Sequence, residues 1–307
     1  MPDAFSRAPI APADRPASIR RAWLLAVRPR TLPAAVSPVA VGAALAIADH
    51  DFRLGPALGA LLGALLLQAG VNVANDYFDF VRGIDRAGRL GPVRVTQSGL
   101  ISPGRVRAGM ALIFALAAAD GLYLTLASGW PILAVGLLAG LAALAYSGGP
   151  YPLASHGLGD LFVFLFFGLA AVCGTYYAQT LKLTWTALFL ACPVGLMITA
   201  ILVVNNLRDI ETDRKAGKIT LAVRLGPGGS RLEYMLLLAG AFLLTATYAL
   251  AGGRLWALLS LGALPLAWAE VKRVGRDKGP LLNQALAGTA RLALVFSLLL
   301  SAGLVLS

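Results

Sequence analysis

The chain has 307 residues, of which 58% are hydrophobic and 13% charged, and its mean hydropathy is +0.75; a soluble domain carries roughly 25% charged residues, so water cannot be the main solvent and lipid is. The formal net charge of +11 would suggest a nucleic-acid partner in a soluble protein, but here the basic residues gather in particular connections between apolar segments, which excludes that reading. Two cysteines (Cys173, Cys192) and two histidines (His50, His156), none at metal-ligand spacing, exclude zinc, haem and iron–sulfur chemistry.

In chain order, residues 1–17 are rich in Pro, Ala and Arg and lack an apolar run, which predicts a disordered tail and no signal peptide. Residues 18–307 are expected to form one membrane domain. It opens with SIRRAWLLAV at 18–27, a pattern for a short interfacial helix with Trp23 at headgroup level. Nine apolar segments of membrane-spanning length follow, near 32–48, 56–78, 106–127, 131–147, 157–179, 185–206, 232–251, 254–271 and 285–306. Pro33, Pro38, Pro131, Pro193 and Pro265 fall within them or at their ends, which membrane helices tolerate. The expected fold class is all-α, a multi-pass bundle.

Charge fixes the orientation. Nearly all of the 26 Lys and Arg lie in the tail and in the second-to-third, sixth-to-seventh and eighth-to-ninth connections, against only Arg53, Lys182 and Arg254 on the opposite side. By the positive-inside rule the N-terminus and the long polar connections are cytoplasmic, and an odd span count puts the C-terminus across the membrane.

Two apolar segments end alike, in NVANDYFDF from Asn72 and in NNLRDIETD from Asn205, about half the chain apart, which suggests two related halves facing each other. Asn72, Asp76 and Asp79 fall at i, i+4 and i+7, and Asn205, Asp209 and Asp213 at i, i+4 and i+8, so each set shares a helix face. Like charges so clustered need a cation, and hard oxygen donors suit magnesium, which binds through a few carboxylates plus substrate phosphates. Basic loops follow both motifs: Arg82, Arg89 and Arg94 in the first, Lys215 and Lys218 in the second. Asp, Lys and Arg together make a diphosphate site. Solvated helix ends neutralised by arginine, with the basic residues as topology anchors, are the plainer alternative. A third polar stretch, AYSGGPYPL at 145–153, offers Tyr146 and Tyr151 to an aromatic acceptor or a cationic intermediate, or else to an interfacial tyrosine belt. Asp160 either positions the acceptor or caps a helix.

These residues carry a family resemblance. The paired Asp-rich motifs and the span count resemble the UbiA superfamily of intramembrane aromatic prenyltransferases, from about Arg28 to the C-terminus. Within it the chain resembles the branch whose acceptor is 1,4-dihydroxy-2-naphthoate, on RPRTLPAAVSPVAVG (28–42), NDYFDFVRGID (75–85), RLGPVRVTQSG (89–99), YSGGPYPL (146–153), GLGDLFVFLFFG (157–168), GTYYAQT (174–180) and NNLRDIETDRKAGKITLAVRLG (205–226). Two departures stand out. Gly83 occupies the position four after Asp79, where the broad superfamily often has a carboxylate, and the next one is Asp85; Asp160 stands where this branch often has Glu. The resemblance implies about nine helices around a central cavity, a cytoplasmic cap of polar loops, and a bacterial plasma (inner) membrane location. It also implies magnesium as cofactor, a polyprenyl diphosphate donor, and decarboxylation of the acceptor on the way to menaquinone. The rival readings are another aromatic acceptor (4-hydroxybenzoate or homogentisate), a phytyl donor, and, in a different class, a secondary transporter built of two related halves.

Overall fold

The structure is a computed structural model that describes residues 18–83, 91 and 93–307. The expected tail, together with Asp85 and Arg89, lies outside the described residues.

Helix α1 (Ile19–Val27) starts at Ser18, whose hydroxyl accepts from the Arg21 amide, and stops at Arg28 in the left-handed region (φ 56°). A 3-10 turn, Pro29–Thr31, leads into α2 (Pro33–Ala48). The break bends Ile19–Thr31 against Pro33–Ala48 by 50°. The long helices α3 (Leu54–Val81) and α4 (Pro103–Ser128) follow, then α5 (Trp130–Ser147), entered through Gly129 at φ 89°. The next span is broken into α6 (Gly159–Val163), a π-helical stretch at Phe164–Ala170 and α7 (Ala171–Thr180). Helices α8 (Trp185–Lys215) and α9 (Leu221–Ala251) are the longest. A 3-10 segment, Leu255–Ala263, runs into α10 (Leu264–Arg276), and α11 (Leu282–Leu306) ends the chain. Among the described residues, eight helical segments are long and apolar enough to cross a membrane, or nine with the bent α1–α2 pair. No strand occurs among the described residues.

Two of the expected boundaries change. Helix α8 continues beyond the expected span end near 206 to Lys215, so Asp209 and Asp213 are helical, as their shared face requires, and the connection shrinks to 216–220. Helix α9 begins at Leu221 instead of near 232 and is broken at Gly226 (φ 70°, ψ 178°), just before Pro227. Apolarity marks the lipid-embedded part of a helix and is silent where the helix projects into water.

Polar contacts sort the connections onto two sides. On one side, Arg53 donates to the Ala127 carbonyl (3.1 Å), Lys182 pairs with Asp51 (3.1 Å) and Arg254 donates to the Ser307 carbonyl (3.0 Å). On the other, the Ile219 amide donates to the Ser155 carbonyl (2.9 Å), and Arg231 donates to the carbonyls of Val274 (2.9 Å) and Asp277 (3.2 Å). The second side carries both Asp-rich motifs, in agreement with the charge count.

Helix α8 runs through the centre, with Leu190, Val194, Met197 and Val204 fully buried. Small residues let neighbours close on it: a Cβ on Gly168 would stand 2.5 Å from the Gly195 Cα. The π-helical turn lies at this crossing, where an α-helical register is locally given up. Buried hydroxyls in the spans return to the preceding turn, as Thr199 does to the Gly195 carbonyl (2.8 Å) and Thr289 to that of Ala285 (2.8 Å). Helices α4 and α5 expose Leu112, Leu116 and Leu138 on their outer faces, as lipid contact requires.

Candidate active site

One cavity of about 970 Å³ is lined by residues of α2 to α8, with Leu286 of α11. Its wall is apolar along most of its depth, with Ala60, Leu67, Phe114, Val135, Phe166 and Ile201 among the lining residues. Its polar end collects Asn72, Asn75 and Asp79 from α3 and Asn205, Asp209 and Asp213 from α8. Arg94, Lys215 and Lys218 line the same end. The two motifs thus meet at one chamber.

Asp79 is 3% exposed and carries two cations. Arg94 donates to its Oδ2 at 2.8 Å, and Lys218 reaches Oδ1 at 3.2 Å and Oδ2 at 3.3 Å. Lys218 belongs to the connection after α8, so this bond ties the second motif's loop to the first motif's carboxylate. On α8, Arg208 grips Asp209 with two bonds (Nε to Oδ1 2.8 Å, Nη2 to Oδ2 2.5 Å) and also donates to Asn205 Oδ1 (2.9 Å) and Asn283 Oδ1 (2.8 Å). Its side chain is 1% exposed. Charge-assisted bidentate bonds of this kind fix orientation as well as charge.

Asp76 behaves differently from the expectation for a metal ligand. It is 1% exposed, does not line the cavity, and accepts from the amides of Val95 (2.9 Å) and Thr96 (2.9 Å) and from the Thr96 hydroxyl. Its carboxylate therefore pins the loop that brings Arg94 to Asp79. The same loop is seated from below, with Val95 and Ile101 packed against Ala22, Ala26, Val73 and Val106.

Other assignments also move. Arg82 lies outside the cavity and donates to the Gly149 carbonyl, holding the turn after α5 instead of facing a phosphate. Tyr151 is 57% exposed and stacks on His156 (centroids 3.5 Å apart), away from the chamber, because the Gly-Pro turn carries it outward. Tyr146 does line the chamber, and the carboxylates that bear on its hydroxyl are Asp160, Asp213 and Asp79. Asp160, buried at the start of α6, sits behind the wall rather than in it, with one carboxylate oxygen lacking a partner among the described residues. Asn72 lines the cavity, but its amide nitrogen is taken by the Val27 carbonyl (2.8 Å) and the Thr31 hydroxyl (2.9 Å), which also receives Gln68 (3.1 Å). That network braces the break between α1 and α2.

Two residues escaped the sequence reading. Asn75 lines the cavity and accepts from Ser147. It stands at i+3 from Asn72, on a face as good as the one drawn through Asp76, so helical spacing alone offered both. Arg208 was counted only as a topology charge; its adjacency to Asp209 gave no sign that the two side chains would meet.

The model of the UbiA prenyltransferase family matches residues 35–305. The chain belongs to that family. It is 44% identical to the 1,4-dihydroxy-2-naphthoate octaprenyltransferase of Mycobacterium tuberculosis over 84% of this chain and 87% of the relative. To the Escherichia coli protein of the same name it is 39% identical, over 94% and 96% of the two chains. Among solved structures, a UbiA homologue from Archaeoglobus fulgidus bound to GPP and Mg2+ superposes with a TM-score of 0.67 at 19% identity, over 91% of this chain and 99% of that one. At that identity the likeness speaks for the fold, a UbiA-type helical bundle in the membrane.

Proposed function

We propose that the chain transfers a polyprenyl group from polyprenyl diphosphate to 1,4-dihydroxy-2-naphthoate, with loss of carbon dioxide, in the bacterial cytoplasmic membrane. The observation that carries this reading is the agreement in name of relatives 36–44% identical over nearly the whole chain. A chamber with an apolar wall and a charged end is the shape that a donor with a lipid tail and a diphosphate head requires. The asymmetry of basic residues supports a cytoplasmic N-terminus and polar end.

Magnesium fits the donor set. The chamber's end presents carboxylate and amide oxygens, the hard donors that magnesium takes in small number with phosphate and water completing its shell. Asp79, Asp209 and Asp213, with Asn75 nearby, are the residues that would hold it. Bound there it would offset diphosphate charge and make the group a better leaving group.

The chain's own residues do the rest. Lys218 and Arg94 pair with the buried Asp79 carboxylate and place two positive charges at the chamber's end, where a diphosphate meets both. Arg208 holds Asp209 in one rotamer from behind. The apolar wall keeps water from the allylic cation that develops as the carbon–oxygen bond breaks, and the Tyr146 ring presents a negative face to it. The electron-rich naphthoate ring then attacks through carbon.

Membranes containing the protein, supplied with magnesium and labelled octaprenyl diphosphate, are expected to prenylate 1,4-dihydroxy-2-naphthoate and not 4-hydroxybenzoate, and to stop on chelation with EDTA. Product from hydroxybenzoate alone would overturn the acceptor. Metal-independent turnover would overturn the magnesium assignment.

A further inference from the structure

Eight Asp, Lys and Arg side chains line the cavity among the described residues, and seven of them belong to its polar end: Arg28, Asp79, Arg94, Asp209, Asp213, Lys215 and Lys218. The eighth is Asp120, in the middle of α4, and nothing in the reaction above uses it. It stands eight residues from the far end of α4, about 12 Å at the helical rise. A carboxyl at that depth is expensive in a bilayer and belongs to a cavity or a bundle interior when it occurs. Here it faces α3 at Gly63, where a Cβ would come within 2.6 Å of its Oδ2. Glycine is what leaves room for the carboxyl between the two helices. No hydrogen bond or ion pair to Asp120 is found among the described residues, and Ala117 and Leu124, its helical neighbours at i−3 and i+4, line the same wall.

Gly63 and Asp79 are on the same helix, sixteen residues apart, which is about 24 Å along α3. Carbon–carbon bonds near 1.5 Å make an extended isoprene unit roughly 5 Å long. A tail whose diphosphate is held at Asp79 would therefore bring its fifth unit to Asp120. Geranyl diphosphate, with two units, falls short of it; octaprenyl diphosphate passes it.

We propose that Asp120 is a specificity-determining residue for donor length, a polar group set in the tail wall where the fifth isoprene unit passes. An apolar chain laid over a carboxyl removes water from it and returns no hydrogen bond, a cost that only tails long enough to reach it incur. The inference rests on the prenyl-transfer reading, since it takes the head from that site.

The test compares the ratio of KM for octaprenyl diphosphate to KM for geranyl diphosphate in the wild type and three variants. Asp120→Leu is expected to lower the ratio at least fivefold, because the long tail alone gains a matching wall. Asp120→Asn keeps a polar group and is expected to stay within twofold of the wild type. Gly63→Ala pushes the carboxyl further into the cavity and is expected to raise the ratio. A ratio unmoved by both Asp120→Leu and Gly63→Ala would overturn the proposal, as would an Asp120→Asn change as large as that of Asp120→Leu, which would point to packing. The same ratio is read without turnover as the donor concentration giving half of the maximal thermal stabilisation of the purified protein. If the wild type turned over neither donor, the prenyl-transfer reading would fail while this binding ratio still decided the role of Asp120.

Discussion

The ammonium of Lys218 lies 3.2 Å from Oδ1 of Asp79, a residue 139 positions earlier in the chain, and Arg94 donates to Oδ2 of the same carboxylate. The two cations are not equivalent. Arg94 is 4% exposed in its side chain and Lys218 is 16% exposed, nearer the chamber. Lys218→Ala leaves Asp79 paired with Arg94, so the melting temperature in detergent should move little while KM for the donor rises tenfold or more. Arg94→Ala strips a buried carboxylate of its better-buried partner and leaves only Lys218, so the cost should approach without reaching the about 3–5 kcal/mol of a fully unpaired buried charge. It should therefore lower both stability and turnover. Equal melting temperatures for the two variants would contradict this division.

Asp76 gives a second prediction. Asp76→Ala leaves the Val95 and Thr96 amides and the Thr96 hydroxyl without their acceptor, and a buried donor left unsatisfied costs about 1–3 kcal/mol. Turnover should collapse together with thermal stability, and protease cleavage within the 93–102 loop should speed up. Thr96→Val removes one of the three donors and should show a weaker form of the same defect, by about 1 kcal/mol. A stable, protease-resistant Asp76→Ala protein whose only change is a raised magnesium requirement for turnover would restore Asp76 to the metal site.

Arg208 gives a third. It is the shared donor to Asp209, Asn205 and Asn283, which links α8 to the start of α11. Lysine has one point charge and cannot make the two parallel bonds. Arg208→Lys should thus keep much of the stability yet lower kcat at least tenfold, because Asp209 is no longer held in one rotamer. Arg208→Met should destabilise by about 3–5 kcal/mol through the unpaired Asp209. A normal kcat in Arg208→Lys would show that orientation of Asp209 is not limiting.

The amount of this that the sequence disclosed follows from the physics of each signal. Hydrophobic length found the spans, because a bilayer imposes it on every helix alike, and basic residues found the sides. Neither signal reaches past the lipid, so apolarity stops α8 near 206 and starts α9 near 232, short of their ends at Lys215 and Leu221. The motifs placed Asp79, Asp209 and Asp213 at the cavity, but a helical period tolerates more than one face, and it is Asn75, to which spacing gave no role, that lines the cavity while Asp76 pins a loop. Arg82 and Tyr151 show the limit most clearly. Each is the right residue type beside the right motif, and in each the backbone of a Gly-rich turn, Gly148 to Pro150, decides where the side chain ends up.

The two tyrosines of that turn separate the chamber from its rim. Tyr146 lines the cavity close to Asp79, Asp160 and Asp213, whereas Tyr151 is 57% exposed and stacked on His156. If an aromatic face stabilises the developing allylic cation, worth about 2 kcal/mol when desolvated, Tyr146→Leu should lower kcat by more than tenfold with donor KM little changed. Tyr146→Phe keeps the ring and should retain most of kcat, which would place the effect in the π face and not in the hydroxyl. Tyr151→Leu should stay within twofold of the wild type in both kcat and KM, because it loses only a surface stack. Kinetics of the three variants with a single donor decide the matter: a Tyr146→Phe protein as impaired as Tyr146→Leu would assign the hydroxyl a role in the reaction, and a Tyr151→Leu protein with raised acceptor KM would bring the rim into the acceptor site.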